Sequence, residues 1–229
     1  MLGVCGSFCR DVAVKEGASL KAQLKGHLGP LLYCDFHPSG RLLGTCGQDT
    51  TWRLWDIETG VELLLQDGHY RDCSSLAFHA DGGLVLSTDW AGVALLWDLR
   101  SGQLIHTFQG HMRRISSSSF HVNGYQVATG STDNTVRVWD LRKRKCGYVV
   151  PAHTNCVSDV RYSRSGELLL TSSFDGTVKI WRSRDFLLLR SLSGHAGRVM
   201  SADVCSDERH FASVGFDRTA KLWAHKSEF

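Results

Sequence analysis

Hydrophobic and polar residues alternate along most of this chain in short runs that turn-forming residues separate. Between residues 115 and 150 the runs are ISSSSF, YQVATG, TVRVWD and CGYVV, and the separators are NG, TDN and the basic turn RKRK. Alternation with a period of two, rich in β-branched and aromatic residues, is typical of β-strands. This segment therefore predicts a four-stranded antiparallel sheet with tight turns.

The whole pattern recurs with a period of 42 residues. A histidine preceded by Gly or Ala opens each repeat, and a tryptophan ends its third strand: His27, His69, His111, His153 and His195; Trp55, Trp97, Trp139, Trp181 and Trp223. A fixed period is stronger evidence than any single motif, because every unit must then adopt the same local structure. We predict repeats beginning near residues 27, 69, 111, 153 and 195, in a single domain over residues 1–229.

Four strands per repeat, Gly-His near the start and Trp-Asp at the end resemble the WD-repeat β-propeller family. Trp-Asp is present in the first three repeats, whereas Trp181 is followed by Arg182 and Trp223 by Ala224. The resemblance covers nearly the whole chain. It implies an all-β propeller in which each repeat forms one four-stranded blade.

The two ends of the chain predict incomplete blades. Residues 1–26 contain LGVCG, DVAV and an outer strand at Leu20–Leu24, and the fifth repeat reaches the end of the chain directly after its third strand. We expect five full four-stranded repeats plus a partial N-terminal one, from a truncated seven-bladed ring that is less stable than a complete ring. A ring closed by five blades, with the N-terminal strand completing the last, is the alternative.

Composition narrows the class of protein. Lys and Arg number 26 and Asp and Glu 23, which leaves a net charge of +3, too small to indicate nucleic-acid binding by itself. The eight cysteines form no CxxC pair and lie mostly in apolar runs, and no signal peptide precedes them, so they are expected to be reduced core residues of an intracellular protein. No apolar run approaches the roughly 18 residues of a membrane helix.

Each repeat also carries a hydroxyl ten residues before its tryptophan, and four repeats carry an aspartate six residues before it. The hydroxyls are Thr45, Ser87, Thr129, Thr171 and Ser213; the aspartates are Asp49, Asp133, Asp175 and Asp217. Ser or Thr, His and Asp could form a hydrolase triad, but an enzyme needs one activated nucleophile and not five. The family resemblance implies instead a structural hydrogen-bonded chain from aspartate through histidine and hydroxyl to tryptophan, and we predict no catalytic residue.

The second repeat departs from this rule, because Ala91 stands where the other repeats have aspartate. Either Asp89 replaces the missing partner of His69 through a reshaped turn, or this blade is looser than its neighbours. On this basis Asp133→Ala is expected to lower the melting temperature more than Asp89→Ala.

No metal or cofactor site is predicted. A second column of histidines, His37, His79 and His121, falls at the ends of first strands and is spaced by blade. Zinc sites use closely spaced Cys or His ligands, and only a weak Cys5-xxx-Cys9 pair approaches that spacing.

Two surfaces are candidates for partner binding. The loops after the repeat histidines and the turns between second and third strands are expected to share one rim, with the candidate residues Arg71, Trp90, Arg113, Arg114, Phe174, Arg198 and Phe216. Trp90 is the preferred anchor, while Phe174 and Phe216 fit either an interface or the cover of an adjacent blade. The opposite rim has a candidate basic patch, either solvated turn surface or an RNA contact: Arg142, Lys143, Arg144, Lys145, Arg182 and Arg184.

Two stretches resemble a narrower group, the WD-repeat subunits of the spliceosomal U4/U6 small nuclear ribonucleoprotein. They are FHPSGRLLGTCGQDTTWRLWD and NGYQVATGSTDNTVRVWDLRKRKCGYVVPAHTN. This resemblance implies a nuclear, noncatalytic scaffold in U4/U6 and U4/U6.U5 particle assembly, with pre-mRNA-processing factor three, its associated cyclophilin and U4/U6 small nuclear RNA as partners. The alternatives are another WD-repeat adaptor, such as a ubiquitin-ligase substrate receptor or a chromatin peptide reader, and an enzyme.

Overall fold

A computed structural model describes residues 22–224 of the chain. These residues contain nineteen β-strands in five antiparallel sheets, so the predicted all-β fold is confirmed. Within residues 22–224 no helix is long and apolar enough to cross a membrane.

Each sheet takes its strands in chain order. Sheet 1 is β1 (Leu31–Phe36), β2 (Leu42–Gly47), β3 (Trp52–Asp56) and β4 (Glu62–Gln66); sheet 2 is β5 (Cys73–Phe78), β6 (Leu84–Asp89), β7 (Val93–Asp98) and β8 (Gln103–Gln109). Sheet 3 is β9 (Ile115–Phe120), β10 (Gln126–Ser131), β11 (Val136–Asp140) and β12 (Lys145–Val150); sheet 4 is β13 (Val157–Tyr162), β14 (Leu168–Ser173), β15 (Thr177–Arg182) and β16 (Leu188–Ser193). Sheet 5 is β17 (Val199–Val204), β18 (His210–Gly215) and β19 (Ala220–Ala224).

The strands of the third repeat lie within one residue of the bounds that the alternation predicts, and ISSSSF coincides with β9. The fifth sheet differs from the four-stranded expectation, since it has three strands within the described residues. The predicted N-terminal strands LGVCG and DVAV lie outside those residues. Of the predicted outer strand at Leu20–Leu24, residues 22–24 are described and are not in a strand.

The first strands of consecutive sheets contact one another in the order β1, β5, β9, β13 and β17. The sheets therefore stack side by side as blades, and consecutive blades bury the faces that they turn toward each other. Between blades 1 and 2, for example, Trp52 is fully buried with its ring edge-on to that of Trp97, at 6.0 Å between ring centroids. Trp52, which precedes the repeat tryptophan Trp55 by three residues, thus belongs to the core between blades.

Periodic hydroxyl groups also join adjacent blades. The Oγ atoms of Ser74, Ser116 and Ser158 donate to the first carbonyl of the next blade's first strand, at 2.7, 2.6 and 2.8 Å. Each of these bonds ties one blade to the start of the first strand of the next blade.

The second histidine column joins adjacent blades on the opposite face. Nε2 of His37, His79 and His121 donates to the carbonyl of a glycine in the next blade's first turn, at 3.0, 3.0 and 2.9 Å. Gly124 shows why that residue is glycine: its φ is +75°, and a Cβ there would lie 2.6 Å from Nε2 of His79. This column therefore has a structural role in holding the blades together.

A buried polar contact crosses between nonadjacent blades. Nη2 of Arg161 in β13 donates to the hydroxyl of Tyr33 in β1 at 2.8 Å, although the two residues are 128 apart in sequence. Asp159 accepts from Ser117 and Ser201 in the blades on either side. The first strands thus enclose a polar centre, in contrast to the apolar layers between the sheets.

Candidate functional site

Each blade contains one hydrogen-bonded set that links its aspartate, histidine, hydroxyl and tryptophan. Nδ1 of the histidine lies 2.8–3.0 Å from an aspartate oxygen, and Nε2 lies 2.7–2.8 Å from the hydroxyl oxygen. The tryptophan indole Nε1–H donates to the same hydroxyl at 2.8–3.0 Å. One neutral tautomer, with the proton on Nδ1, satisfies every group in the set.

The hydroxyl groups of these sets are out of reach of any substrate. Their residues are between 0% and 5% exposed, and each hydroxyl is already bonded to an indole and an imidazole. A nucleophile must reach the reacting atom, so this geometry suits cross-linking of strands and does not suit acyl transfer.

In the second blade, Asp89 is the partner of His69. It is the last residue of β6, only 1% exposed, and its Oδ2 lies 3.0 Å from Nδ1 of His69. Gly215 is the residue of blade 5 equivalent to Asp89, and a Cβ built on it would lie 2.8 Å from Nδ1 of His195. A side chain at this position of the strand therefore points toward the repeat histidine. This geometry argues against a looser second blade and against a smaller effect of Asp89→Ala.

The aspartates of the other blades are held as carboxylates. Burial raises the pKa of Asp175, but hydrogen bonds from Thr177 and His153 outweigh burial and lower it to about 2. The same opposition places the pKa of Asp133 and of Asp217 well below the usual range, with His111 or His195 as a donor. Ionised acceptors make stronger hydrogen bonds than neutral ones, which favours the observed arrangement.

The loops after the histidines and the turns between second and third strands lie together, and we call this surface the histidine rim. Backbone hydrogen bonds connect each turn to its loop, as in Trp90 N–H to the Asp72 carbonyl and Phe216 N–H to the Arg198 carbonyl. Oδ2 of the turn aspartate also accepts the N–H of the residue after the histidine, for instance Met112 at 3.1 Å. These bonds fix the loop backbone. The side chain of the residue after the histidine, such as Met112, then points to solvent.

The most exposed apolar residues of the histidine rim were missed by the sequence analysis. Leu28, Tyr70 and Met112, which directly follow the histidines of blades 1 to 3, are 91%, 94% and 89% exposed. We call these three residues the apolar arc. The sequence did contain a signal for them. The residue after the repeat histidine is large and apolar in blades 1 to 3, whereas it is Thr154 and Ala196 in the last two blades.

Two of the candidate aromatic anchors are covered by arginines of the next blade. The Arg114 guanidinium lies 4.7 Å from the Trp90 ring centroid, and Arg198 lies 5.2 Å from that of Phe174. Trp90 is 37% exposed, whereas Phe216 is 63% exposed. Arg114 and Arg198 therefore serve contacts between blades, while Arg71 and Arg113 are exposed on the rim.

The candidate basic patch on the opposite rim is partly neutralised. Arg182 forms a bidentate ion pair with Asp185, in which Nε lies 2.9 Å from Oδ1 and Nη2 lies 2.6 Å from Oδ2. Nε of Arg184 lies 4.0 Å from Oδ2 of the same carboxylate. Arg142 stacks on Tyr125 at 3.6 Å from its ring centroid. The other cations of this turn, Lys143, Arg144 and Lys145, are exposed.

A groove of about 430 Å³ runs between the second and third blades beside this basic turn. Its lining residues are His106, Thr107, Phe108, Gln109, Trp139, Arg144, Lys145 and Cys146. Over residues 22–224, no group of three or more His, Cys, Asp or Glu side chains is placed to hold a metal ion.

The repeat pattern, the blade topology and the hydrogen-bonded sets together define a WD-repeat protein. The WD domain, G-beta repeat family matches residues 18–56, 60–98, 102–140, 144–182 and 186–224, and the chain belongs to that family. A family repeat spans two sheets, since residues 186–224 contain β16 of sheet 4 and β17–β19 of sheet 5.

Among curated proteins, the chain is similar to the U4/U6 small nuclear ribonucleoprotein PRP4 of Saccharomyces cerevisiae. The two are 46% identical over 52 residues, which is 23% of this chain and 11% of the yeast protein. The similarity thus spans about a ninth of the length of that relative.

Proposed function

We propose that this protein is a noncatalytic scaffold of the spliceosomal U4/U6 and U4/U6.U5 particles, and that partner proteins dock on the histidine rim. The apolar arc carries the docking proposal, because three large apolar side chains on consecutive blades are each about nine-tenths exposed. Exposed apolar patches mark protein–protein interaction sites. The particle is supported by the similarity to the yeast U4/U6 protein and by the motifs that resemble pre-mRNA-processing factor four.

The rim has the chemistry of a protein-binding surface. Tyr70 and Met112 offer apolar area, and the neighbouring Arg71 and Arg113 offer free guanidinium groups for hydrogen bonds at the edge of an interface. The backbone N–H of Met112 is already bonded to the half-buried Asp133, so little conformational entropy is lost there when a partner binds. The partners that the resemblance suggests are pre-mRNA-processing factor three and its associated cyclophilin. The same resemblance suggests that the protein acts in the nucleus.

Small nuclear RNA is assigned to the opposite rim in this proposal. Lys143, Arg144 and Lys145 are exposed cations in one turn, whereas Arg182 and Arg184 share Asp185. A contact to phosphates through the turn would weaken steeply as salt concentration rises. A flat salt dependence of RNA binding would remove the RNA part of the proposal and leave the protein scaffold intact.

Affinity purification of the tagged full-length protein from nuclear extract tests the function. We expect U4 and U6 RNA to co-purify with other particle proteins. Recovery of cullin or histone partners without these RNAs would instead favour a ubiquitin-ligase receptor or a chromatin reader, and turnover of a substrate would overturn the noncatalytic assignment.

A rim variant tests the docking surface. Tyr70→Ser combined with Met112→Ser is expected to lower recovery of particle proteins about tenfold, with an unchanged melting temperature, because both side chains face solvent. Val149→Ser on the outer strand of blade 3, where Val149 is 51% exposed, is the matched control. Equal recovery from the double variant and the control would exclude the histidine rim.

A further inference from the structure

Positively charged side chains at one position of the third strand have oxygen acceptors in blades 1 and 4. This position lies two residues before the repeat tryptophan. In blade 1, Nη1 of Arg53 donates to Oε2 of Glu62 in the outer strand β4 at 2.5 Å. In blade 4, Nζ of Lys179 donates to the carbonyl of Ala152 at 2.7 Å. Each of these cations is thus matched by a carboxylate or a carbonyl group of the protein.

Arg137, the equivalent residue of blade 3, has no oxygen acceptor for its guanidinium group within residues 22–224. Cys146 occupies the outer-strand position of Glu62, and its Sγ lies 4.0 Å from Nη1 of Arg137. No carboxylate of the described chain lies within 4.0 Å of this guanidinium, and its Nε, like that of Arg53, is buried without a hydrogen-bond partner. A partly buried cation without a counter-ion is unfavourable, so this site favours the approach of an anion.

The groove of about 430 Å³ between blades 2 and 3 lies beside this arginine, because Cys146 is one of its lining residues. Its lining includes three side chains that can carry a positive charge: His106, Arg144 and Lys145. The arginine and the lysine are exposed, and none of the eight lining residues is Asp or Glu. Cations thus border the groove, and no carboxylate in its lining competes for them.

We infer that a phosphate group of single-stranded RNA binds in this groove. Arg144 and Lys145 donate to the phosphate oxygens, and Arg137 adds positive charge from beside Cys146. Cations along a groove are typical of proteins that bind a single strand through its backbone, and Lys143 continues the row, which suits a polyanion better than one partner carboxylate. The inference rests on the RNA part of the proposed function and extends that contact from the exposed turn into the groove.

Cys146→Glu tests the groove, because it gives blade 3 the outer-strand carboxylate that Glu62 provides in blade 1. The new carboxylate is expected to pair with Arg137 and to place a negative charge in the groove, so the affinity for RNA should fall about tenfold. The same ion pair should raise the melting temperature by about 1 to 3 °C. Weaker binding by a more stable protein cannot result from damage to the fold.

Two further variants separate the groove from general effects of charge. Leu188→Glu is the matched control, because Leu188 is the blade 4 residue equivalent to Cys146, is 42% exposed and does not line the groove. It makes the same change of charge elsewhere and should leave the affinity for RNA unchanged. Arg137→Leu copies Leu95, the equivalent residue of blade 2, and should weaken RNA binding about fivefold. This variant decides the question if Cys146→Glu does not fold.

Fluorescence anisotropy of a short labelled oligouridylate, titrated with the full-length chain at low salt, measures the affinity. Equal affinities for the natural protein, Cys146→Glu and Arg137→Leu would overturn the groove site and leave RNA on the exposed turn, which is all that the proposed function requires. If the natural protein binds no RNA at low salt, the groove site and the RNA part of the proposed function are both overturned. A polyglutamate peptide that binds the natural protein but not Cys146→Glu, while RNA binds both equally, would assign the groove to an acidic protein segment instead.

Discussion

Nδ1 of His69 lies 3.0 Å from Oδ2 of Asp89, although Asp89 stands two residues earlier in its repeat than the aspartates of the other four blades. Its Oδ1 also accepts the N–H groups of Ala91 and Val93, both at 2.9 Å. The Asp89 carboxylate at the end of β6 thus accepts the histidine hydrogen bond that a turn aspartate accepts in the other four blades. Its removal would leave a buried imidazole and two backbone donors unpaired.

Asp89→Ala is therefore expected to destabilise the protein at least as much as Asp133→Ala, the reverse of the order that the sequence suggested. Each change should lower the free energy of unfolding by about 2–3 kcal/mol, because a buried donor loses its acceptor. Urea unfolding measures both, with Asp67→Ala at an exposed position as the control. A loss for Asp89→Ala of less than half that for Asp133→Ala would show that the contact is weak.

Stability should fall in acid through the turn aspartates. The pKa of Asp175 is about 2 in the folded protein, below the value of about 3.9 for an unfolded aspartate. Because the folded value is the lower one, the carboxylate stabilises the fold above pH 4, and this contribution is lost as the pH falls from about 4 to 2. The melting temperature of the natural protein should therefore exceed that of Asp175→Asn at pH 6, and the two should converge near pH 2. A constant difference across that range would contradict the assignment.

Arg114 is expected to stabilise the junction between blades 2 and 3 through the Trp90 ring. Arg114→Ala should cost about 0.5–1 kcal/mol of unfolding free energy, since the guanidinium lies 4.7 Å from the ring centroid at a half-exposed site. The loss should shrink in a Trp90→Leu background, which a double-mutant cycle measures. Arg113→Ala, one residue away and exposed, should show neither effect.

Glycines of the turns between first and second strands should differ in how much an added methyl group lowers the free energy of unfolding. Gly40 and Gly124 have φ values of +70° and +75°, yet a Cβ on Gly40 meets nothing within 4 Å, whereas one on Gly124 meets His79. Gly40→Ala should cost about 1–2 kcal/mol for the left-handed backbone alone. Gly124→Ala should cost about 1–3 kcal/mol more, because the methyl group displaces the histidine. Thermal unfolding compares them, and the extra cost should disappear in a His79→Ala background.

Much of the fold could be predicted from the period of 42 residues. Alternation and turn residues act within a few positions, so they indicated the strands of the third repeat to within one residue. The same period placed the histidine, hydroxyl and tryptophan of each blade, because a repeated local structure brings equivalent side chains to equivalent places. The fivefold repetition argued against a catalytic triad, and the family resemblance implied the hydrogen-bonded structural sets.

Contacts between blades were decided by the tertiary structure alone. Sequence spacing does not show that Arg114 covers Trp90, that Asp185 neutralises Arg182, or that Trp52 meets Trp97, because each depends on side-chain direction or on two blades meeting. It also does not give exposure, which separates Tyr70, 94% open to solvent, from its buried neighbour His69. The sequence by itself determined which elements form and repeat, since those follow from local periodicity. Only the stacking of the blades determined which surfaces remain open for a partner.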